Sequence, residues 1–215
     1  MTARVTHVCR VADLHPDAGT VGVTAIDKRP VSGPVKVGTY GLYGDVQADR
    51  KHHGGPEKAV YAFAQAEADH WAAELGEDVP AGRFGENLRV AGAVVEDAEI
   101  GERWRVGPTL ELEVTGPRTP CATFGRWLHQ DGWVRRFSER AHPGVYLRVL
   151  TTGEVTAGDE VSVTHRPGHG VTVRDWFTRQ DPADARALLA HERATGWTMA
   201  DYLRDYVGRA AARGQ

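Results

Sequence analysis

Several features that define other protein classes are scarce in this chain. Its 215 residues include only two cysteines, in separate contexts, which provide neither a disulfide framework nor enough ligands for an iron–sulfur cluster. No apolar run approaches the ~20 residues of a membrane helix, and the first residues lack the apolar core of a signal peptide. The net charge of −3 provides no general basic field for nucleic acid. We therefore expect a reduced, cytoplasmic protein that binds neither nucleic acid nor membranes.

The composition that remains is typical of a folded globular protein. Hydrophobic residues make up 41% of the chain and charged residues 26%. Glycine and proline are concentrated before about residue 170, and the chain beyond Pro167 becomes rich in Ala, Arg and Asp. This change in composition predicts a β-rich domain over residues 1–166 and a small helical appendage over residues 167–215.

Local patterns predict the elements within these two parts. Short β-type segments separated by turn signals indicate a sandwich or barrel. These predicted strands are 5–11, 21–26, 35–37, 88–90, 104–106, 110–114, 145–149 and 161–164. Apolar spacing predicts a helix over 57–75, two short helices after Cys121, and three helices in the appendage. The appendage has little apolar surface of its own, so we expect it to pack on the β domain or on a second subunit, as in a homodimer.

Cys121 is the most informative candidate for chemistry. It follows Arg118 and Pro120 on a rigid loop directly after an alternating, strand-like segment. Thiolate is the form of cysteine that binds soft metals and attacks electrophiles, and a nearby guanidinium stabilises it. The alternative is an inert buried cysteine, which is common for a lone thiol. The rigid, irregular loop favours the functional interpretation.

A second polar cluster lies upstream, in a segment too glycine-rich for a core. Its metal-binding residue types are Asp45, Asp49, His52 and His53. These can bind a hard metal or zinc, but adjacent histidines favour a role in orienting loops around a ligand. Gly54 and Gly55 precede the helix predicted over 57–75, whose N-terminus can bind an anion. A turn that requires glycine is the alternative.

Further polar candidates are Lys28, Arg29, Ser32, Glu86, Asn87 and Arg148. Lys28, Arg29 and Ser32 lie on a turn, where they can bind an anion such as phosphate or remain solvated at the surface. Glu86 and Asn87 lie on a loop that enters a strand, where Glu86 can donate a proton and Asn87 can orient a ligand, or either can cap the loop structurally. Arg148 alternates with apolar neighbours and faces either a polar cavity or solvent.

Six segments, in order, resemble the MOSC family, which is named for the C-terminal domain of molybdenum-cofactor sulfurases. The resemblance is greatest to the YiiM-like branch of that family. The segments are 28–34, 44–49, 53–61, 84–88, 117–121 and 144–150. Together they extend over roughly residues 25–165, and the helical tail resembles the three-helix appendage of the same branch.

The resemblance implies a mixed β-barrel with interspersed helices that binds a molybdenum cofactor, a pterin dithiolene carrying a phosphate. Cys121 matches the signature cysteine of the family, which implies a role as the protein ligand to molybdenum. The implied cofactor-binding residues are Lys28, Arg29, Ser32, Asp45, Gln47, Asp49, His52, His53, Gly54, Asn87, Arg118 and Arg148. Glu86, or a histidine at position 52 or 53, would move protons at the site.

The implied activity is reduction of N-hydroxylated compounds, such as base analogues of the 6-hydroxylaminopurine type, as in detoxification. Electrons would come from an external donor protein, because the chain carries no flavin, haem or cluster signature of its own. One alternative is a carrier that holds the cofactor, or a sulfur atom as a Cys121 persulfide. Another is a metal-free thiol enzyme that pairs Cys121 with a histidine base.

Overall fold

A computed structural model describes residues 2–49 and 53–213 of the chain. The strands in these ranges are β1 (Arg4–Val11), β2 (His15–Pro16), β3 (Val23–Thr24), β4 (Lys28–Pro30), β5 (Val35–Gly38), β6 (Gly41–Leu42), β7 (Val60–Ala64), β8 (Leu88–Ala91), β9 (Arg103–Val106), β10 (Leu110–Pro117), β11 (Val145–Thr151), β12 (Gly153–Val155) and β13 (Val161–His165). The α-helices are α1 (Gln65–Leu75), α2 (Ala122–Leu128), α3 (Trp133–Arg140), α4 (Val173–Arg179), α5 (Pro182–Thr195) and α6 (Asp201–Ala212). Short 3-10 turns occur at Pro56–Lys58 and Val95–Asp97.

The main sheet is mixed. Within the described ranges it has eight strands in the order β13-β9-β10-β11-β7-β8-β1-β4. Its neighbouring strands are antiparallel except β7 and β8, which are parallel. Helix α1 connects these two, since parallel strands require a crossover connection rather than a tight turn.

The expected mixed β fold with interspersed helices and a helical tail is confirmed, but the sheet is not closed, so it is a barrel only in a loose sense. The edge strands β13 and β4 do not pair with each other in the described structure. An isolated antiparallel bridge between Arg4 and Glu160, with neighbouring backbone hydrogen bonds such as that from the N–H of Val161 to the carbonyl of Ala3 at 2.8 Å, joins the start of β1 to the start of β13. The two ends of the sheet therefore approach each other without a continuous ladder of hydrogen bonds.

The helix predicted over 57–75 is wrong in its first half. Strand β7 occupies this part of the chain, and all five of its residues are buried. The helix begins only at Gln65. A continuous run of buried residues is typical of a strand covered on both faces, and β7 lies between β11 and β8 at the centre of the sheet. The short 3-10 turn Pro56–Lys58 therefore stands where an α-helix N-terminus was expected after Gly54 and Gly55, and the anion site based on that helix stays a prediction.

Two apolar clusters stabilise the molecule. The larger one joins the sheet to the tail, because Leu112 and Val145 belong to the same cluster as Trp176, Leu188 and Val207. The tail thus packs on the sheet of its own chain, which is one of the two arrangements expected. The smaller cluster is aromatic and packs α1, α2 and α3 against β7. Its rings are Tyr61, Phe63, Trp71, Phe84, Phe124, Trp133, Phe137 and Tyr146.

The tail helices occur where the sequence predicts them. The side chain of Asp181 caps α5 by accepting a hydrogen bond from the backbone N–H of Ala183 at 2.7 Å. Helix α6 begins after Ala200. Strand β13 ends at His165 and α4 begins at Val173, on either side of the predicted boundary after residue 166, and the division into two domains stays a prediction. No helix in the described ranges is long and apolar enough to cross a membrane.

Candidate functional site

A cavity of about 390 Å³ lies between the aromatic cluster and the β2–β3 hairpin. Its volume is within the range of small-molecule binding pockets. The structure brings together eight of the residues predicted for the site, namely Lys28, Asp45, Gln47, Asp49, His53, Asn87, Arg118 and Cys121. Tyr61, Phe84 and Tyr146 contribute aromatic surface to the same wall. Residues far apart in sequence therefore form one cavity that combines a thiol, several charges and aromatic faces.

Cys121 is the first residue of the loop-to-helix transition at the cavity wall. Its backbone is extended (φ −131°, ψ 168°) and its carbonyl accepts a hydrogen bond from the N–H of Phe124 at 3.1 Å. The thiol does not cap helix α2 and is only partly buried. Its sulfur is therefore available to a ligand in the cavity.

Arg118 is a buried cation with an unsatisfied donor. Only 5% of the residue is exposed, and its guanidinium carbon lies 4.1 Å from the ring centroid of Phe124 and 5.9 Å from that of Tyr61. Nη1 is buried and has no hydrogen-bond partner in the described structure. Aromatic faces attract the charge but accept no conventional hydrogen bond, so burial of this N–H is costly without an acceptor. The geometry suits an anionic ligand group that would provide that acceptor.

Lys28 and Asp45 form an ion pair at another part of the wall. Lys28 Nζ lies 2.6 Å from Asp45 Oδ2, which also accepts a hydrogen bond from Asn87 Nδ2 at 2.8 Å. Asp45 Oδ1 accepts a hydrogen bond from the backbone N–H of Val11 at 2.8 Å. Asp45 thus balances the charge of Lys28, and Asn87 fixes the carboxylate while its own Oδ1 accepts from the N–H of Tyr61 at 3.1 Å.

Lys58 and Tyr146 line the cavity but were missed as site residues. Lys58 Nζ lies 5.8 Å from the centroid of the Tyr146 ring and 4.1 Å from that of Tyr202. Burial lowers the pKa of Lys58, against the opposing effect of nearby carboxylates. Burial also raises the pKa of Tyr146 to about 12. The hydroxyl of Tyr146 therefore keeps its proton at neutral pH, and it lies 3.3 Å from Nδ1 of His53.

The rim of the cavity is held by a bidentate ion pair that the sequence did not suggest. Asp17, in the β2–β3 hairpin, lies 2.8 Å from Arg126 Nε and 2.7 Å from Nη2, both on α2. Its carboxylate also accepts hydrogen bonds from Thr123 Oγ1 and from the N–H of Gly19. The hydrogen bond from Arg126 is the main cause that lowers the pKa of Asp17 to about 2. The hairpin is thereby fastened to the helix that begins after Cys121.

Gln47 has a structural role in the wall. Its Oε1 accepts a hydrogen bond from the N–H of Gly55 at 2.8 Å, and its Nε2 donates to the carbonyl of Tyr40 at 3.1 Å. These bonds hold the polar loop that carries Asp49 and His53 against the sheet. A loop with few apolar residues is thus kept in place by hydrogen bonds to its own backbone.

Glu86, expected as a proton donor, does not line the cavity. It is fully buried, and its carboxylate accepts hydrogen bonds from the N–H groups of Gly82 at 2.8 Å and Phe84 at 3.1 Å. It also pairs with the guanidinium of Arg89, whose Nε lies 2.8 Å away. Glu86 therefore shapes the loop behind the cavity, because its oxygens are engaged in internal bonds.

Four other predicted residues lie away from the lining or outside the described structure. Arg29 is largely exposed and pairs with Asp27 at 2.9 Å. Ser32 is exposed on the turn after β4, and Gly54 is partly buried but not part of the wall. His52 lies outside the described residues. The turn that begins with Lys28 thus contributes its lysine to the cavity, while its other polar residues face elsewhere.

Arg148 belongs to the junction with the tail. It pairs with the buried carboxylate of Glu113 and donates to the carbonyl of Thr198 at 2.6 Å. Trp197 Nε1 donates to the same carboxylate at 2.9 Å. Arg148 therefore fastens the tail to β10 and β11 and is not placed to contact a cavity ligand.

The cavity residues do not form a metal site by themselves. Among residues 2–49 and 53–213, no group of three or more His, Cys, Asp or Glu side chains is arranged to hold a metal ion. The carboxylate of Asp45 is engaged with Lys28, which removes it from the expected hard-metal set. A soft metal bound at Cys121 would take its other ligands from a cofactor, as a dithiolene can provide them.

Some of the site residues that the sequence analysis did not identify were marked by the sequence, and others were not. Lys58, Tyr61 and Tyr146 lie within segments that resemble the family, so their position beside other site residues was a usable signal. Asp17 and Arg126 lie 109 positions apart and outside those segments. Only the packing of the hairpin on α2 brings them together.

The chain belongs to the MOSC domain family. The pattern of the MOSC domain matches residues 49–162. The chain is 33% identical to YflK of Bacillus subtilis (strain 168) over 170 residues, 79% of this chain and 76% of YflK. It is 30% identical to YiiM of Escherichia coli (strain K12) over 195 residues, 86% of each chain.

Two further similarities concern a longer relative and a solved structure. A protein named Reductase from Gibberella moniliformis (strain M3125 / FGSC 7600) is 32% identical over 147 residues, which are 67% of this chain but only 26% of that protein. The crystal structure of YiiM from Geobacillus stearothermophilus superimposes with a TM-score of 0.76 at 20% identity, covering 97% of this chain and 98% of that one. The latter similarity establishes the shared fold.

Proposed function

We propose that the cavity binds a molybdenum cofactor of the pterin dithiolene type and that the protein reduces N-hydroxylated compounds, such as 6-hydroxylaminopurine-type base analogues. The observation that carries this proposal is the buried, unpartnered Nη1 of Arg118 in the same cavity wall as the Cys121 thiol. The guanidinium of Arg118 suits an anionic group and the thiol of Cys121 suits a soft metal, so the same wall can bind a ligand that carries both. Membership of the MOSC family and similarity to a protein named Reductase support the same interpretation.

The residues of the wall fit such a cofactor in three respects. Arg118, with Lys58 and the paired Lys28, would receive the phosphate. The rings of Tyr61 and Tyr146 offer flat apolar surface for the pterin. Cys121 would be the protein ligand to molybdenum, and the dithiolene sulfurs would complete the soft ligand set.

The bound cofactor would supply the two-electron redox chemistry. The overall reaction consumes two electrons and two protons, breaks the N–O bond of the hydroxylamine, and releases an amine and water. His53 and Tyr146 are the groups placed to hold and move a proton, with 3.3 Å between His53 Nδ1 and the Tyr146 hydroxyl. The proposal gives no proton-transfer role to Glu86, because its carboxylate pairs with Arg89 and does not line the cavity.

We also propose two partners. An external electron-donor protein is required, because the two cysteines of the chain cannot ligate a cluster. A homodimer is the proposed assembly, which light scattering on the purified protein would test.

The central test is the dependence of metal and activity on Cys121. Protein is purified anaerobically from cells that make the cofactor and is assayed for molybdenum and for reduction of 6-hydroxylaminopurine with an artificial electron donor. We expect about one molybdenum per chain in the wild type and at least a 10–100-fold loss of activity in Cys121→Ala, since even changes around metal ligands have effects of that size. Cys9→Ala is the matched control and should retain both properties per folded chain.

The other outcomes separate the alternatives. Full turnover in Cys121→Ala would contradict the proposed ligand. Molybdenum without turnover on any N-hydroxylated compound would support a cofactor carrier. A sulfane sulfur on Cys121, detected by mass spectrometry in wild type and absent from Cys121→Ala, would support a sulfur carrier.

A further inference from the structure

The C-terminal tail reaches the cavity wall. Tyr202, in the first turn of α6, places its ring 4.1 Å from the Nζ of Lys58, one of the cations that line the cavity. This is the distance of a close cation–π contact. The contact links the tail, whose described residues do not line the cavity themselves, to a charge inside the cavity.

Glu57, which precedes Lys58 in the chain, is also held by the first turn of α6. The carboxylate of Glu57 accepts hydrogen bonds from the backbone N–H of Asp201, at 2.8 and 3.0 Å. A carboxylate at the N-terminus of a helix is stabilised by the unpaired N–H groups there. The short turn that carries Glu57 and Lys58 is thus attached to α6 at two successive side chains.

The position of Tyr202 is itself constrained. Its hydroxyl lies 3.3 Å from Thr115 Oγ1, which donates to the carbonyl of Glu57 at 2.7 Å. A Cβ atom at Gly116 would lie 2.8 Å from the Tyr202 hydroxyl oxygen, so glycine is required for this close approach. The ring therefore sits in a built recess between β10 and the turn at Lys58.

We propose that Tyr202 is a positioning residue for the cavity: its ring holds the Lys58 ammonium group where it meets the anionic end of the ligand, so that the tail completes the binding site. This inference rests on the proposed function in one respect, that the ligand is anionic. If Tyr202 only fastened the tail, loss of its ring, which packs on the larger apolar cluster, would lower stability and leave anion binding by the folded protein unchanged. If Tyr202 positions Lys58, loss of the ring weakens anion binding and loss of the hydroxyl does not.

The binding test compares two changes at one position. Phenyl phosphate is titrated into the full-length protein by calorimetry, as a probe with an aryl group and a phosphate. We expect Tyr202→Leu to weaken binding about fivefold, the effect of losing one cation–π contact, while Tyr202→Phe stays within about twofold of wild type. Tyr206→Leu is the matched control, because Tyr206 lies on the same helix, is 50% exposed and contacts Arg209 at 4.9 Å. Equal losses in Tyr202→Leu and Tyr202→Phe would overturn the inference.

A second readout reports the position of Lys58 without any ligand. The lysines are converted to ¹³C-dimethyl-lysine, which keeps the charge, and the Lys58 methyl signal is assigned with Lys58→Arg. We expect an upfield ring-current shift in wild type, Tyr202→Phe and Tyr206→Leu, and its loss in Tyr202→Leu.

The Lys58 methyl signal also separates the proposed anion site from the proposed positioning role of Tyr202. If wild type does not bind phenyl phosphate, the proposed anion site fails, but an upfield Lys58 signal that Tyr202→Leu removes still supports the positioning role. Absence of the shift in wild type overturns the positioning role even where Tyr202→Leu does not fold.

Discussion

Two neighbouring regions contain the same residue types in opposite chemical situations. The inner layer (Cys9, Glu86 and Arg89) lies behind the cavity and is at most 1% exposed. Its arginine is paired with its glutamate, and burial raises the pKa of Cys9 to about 12. The cavity wall also has an arginine and a cysteine, but Arg118 retains an unpartnered N–H and Cys121 is only partly buried.

The comparison shows that the binding partner, and not burial, distinguishes a structural arginine from a candidate binding residue. Both guanidinium groups are removed from water, which is costly for a charge without compensation. The chain compensates Arg89 with Glu86, whereas Nη1 of Arg118 has no hydrogen-bond partner among the described residues and its guanidinium lies over the ring of Phe124. A ligand anion is the natural partner for the second charge.

The largest expected contrast is between the two thiols. In the folded protein at pH 8 nearly all Cys9 thiols are protonated, since burial raises the pKa of Cys9 to about 12. Iodoacetamide should therefore modify Cys121 and leave Cys9 unmodified, as peptide mass spectrometry would show. Both thiols should react in guanidinium chloride, which is the control. Rapid modification of Cys9 under native conditions would remove the distinction between the two regions.

The next contrast concerns the two arginines. Glu86→Gln should lower the free energy of unfolding by about 3–5 kcal/mol, because it leaves the Arg89 charge buried without its partner. Arg118→Met is the matched change in the cavity wall. It should alter stability by less than about 1 kcal/mol, the size of the lost cation–π contact, yet weaken phenyl phosphate binding about tenfold or more.

Chemical denaturation and calorimetry measure these two effects. A loss of stability in Arg118→Met as large as that in Glu86→Gln would show that Arg118 is a structural residue. Unchanged phosphate binding in Arg118→Met would contradict its role as the anion contact.

The smallest expected effect is at the rim, where Arg126, an arginine that lines the cavity, is paired with Asp17. The pKa of Asp17 is lowered from 3.8 to about 2, so the ionised form is favoured in the folded state. Its contribution to stability is present above about pH 4 and is lost as the pH falls towards 2. Asp17→Asn should cost about 1 kcal/mol or less at pH 7, as partly exposed ion pairs do. The difference from wild type, measured by urea denaturation, should shrink between pH 4 and pH 2; a constant difference would contradict the pairing with Arg126.

How well a feature could be predicted from the sequence depended on how far apart in the chain its interacting residues lie. Arg118 and Cys121 lie three positions apart on a rigid loop, so their proximity was readable from the sequence. Strand β7 could not be predicted from the sequence, because the apolar residues from Val60 to Ala64 are compatible with either a helix or a buried strand. Its place between β11 and β8 decided in favour of the strand.

The sequence by itself determined the family, most of the strands, the short helices after Cys121 and the three helices of the tail, because these depend on local periodicity and on motifs a few residues long. Only the tertiary structure decided that Glu86 is committed to Arg89, that Arg148 belongs to the tail junction, and that the sheet stays open. It also placed Glu57 against Asp201, which is 144 positions away. Such pairings follow from packing of the whole chain, since the partner of a charged side chain is the group that folding brings within reach.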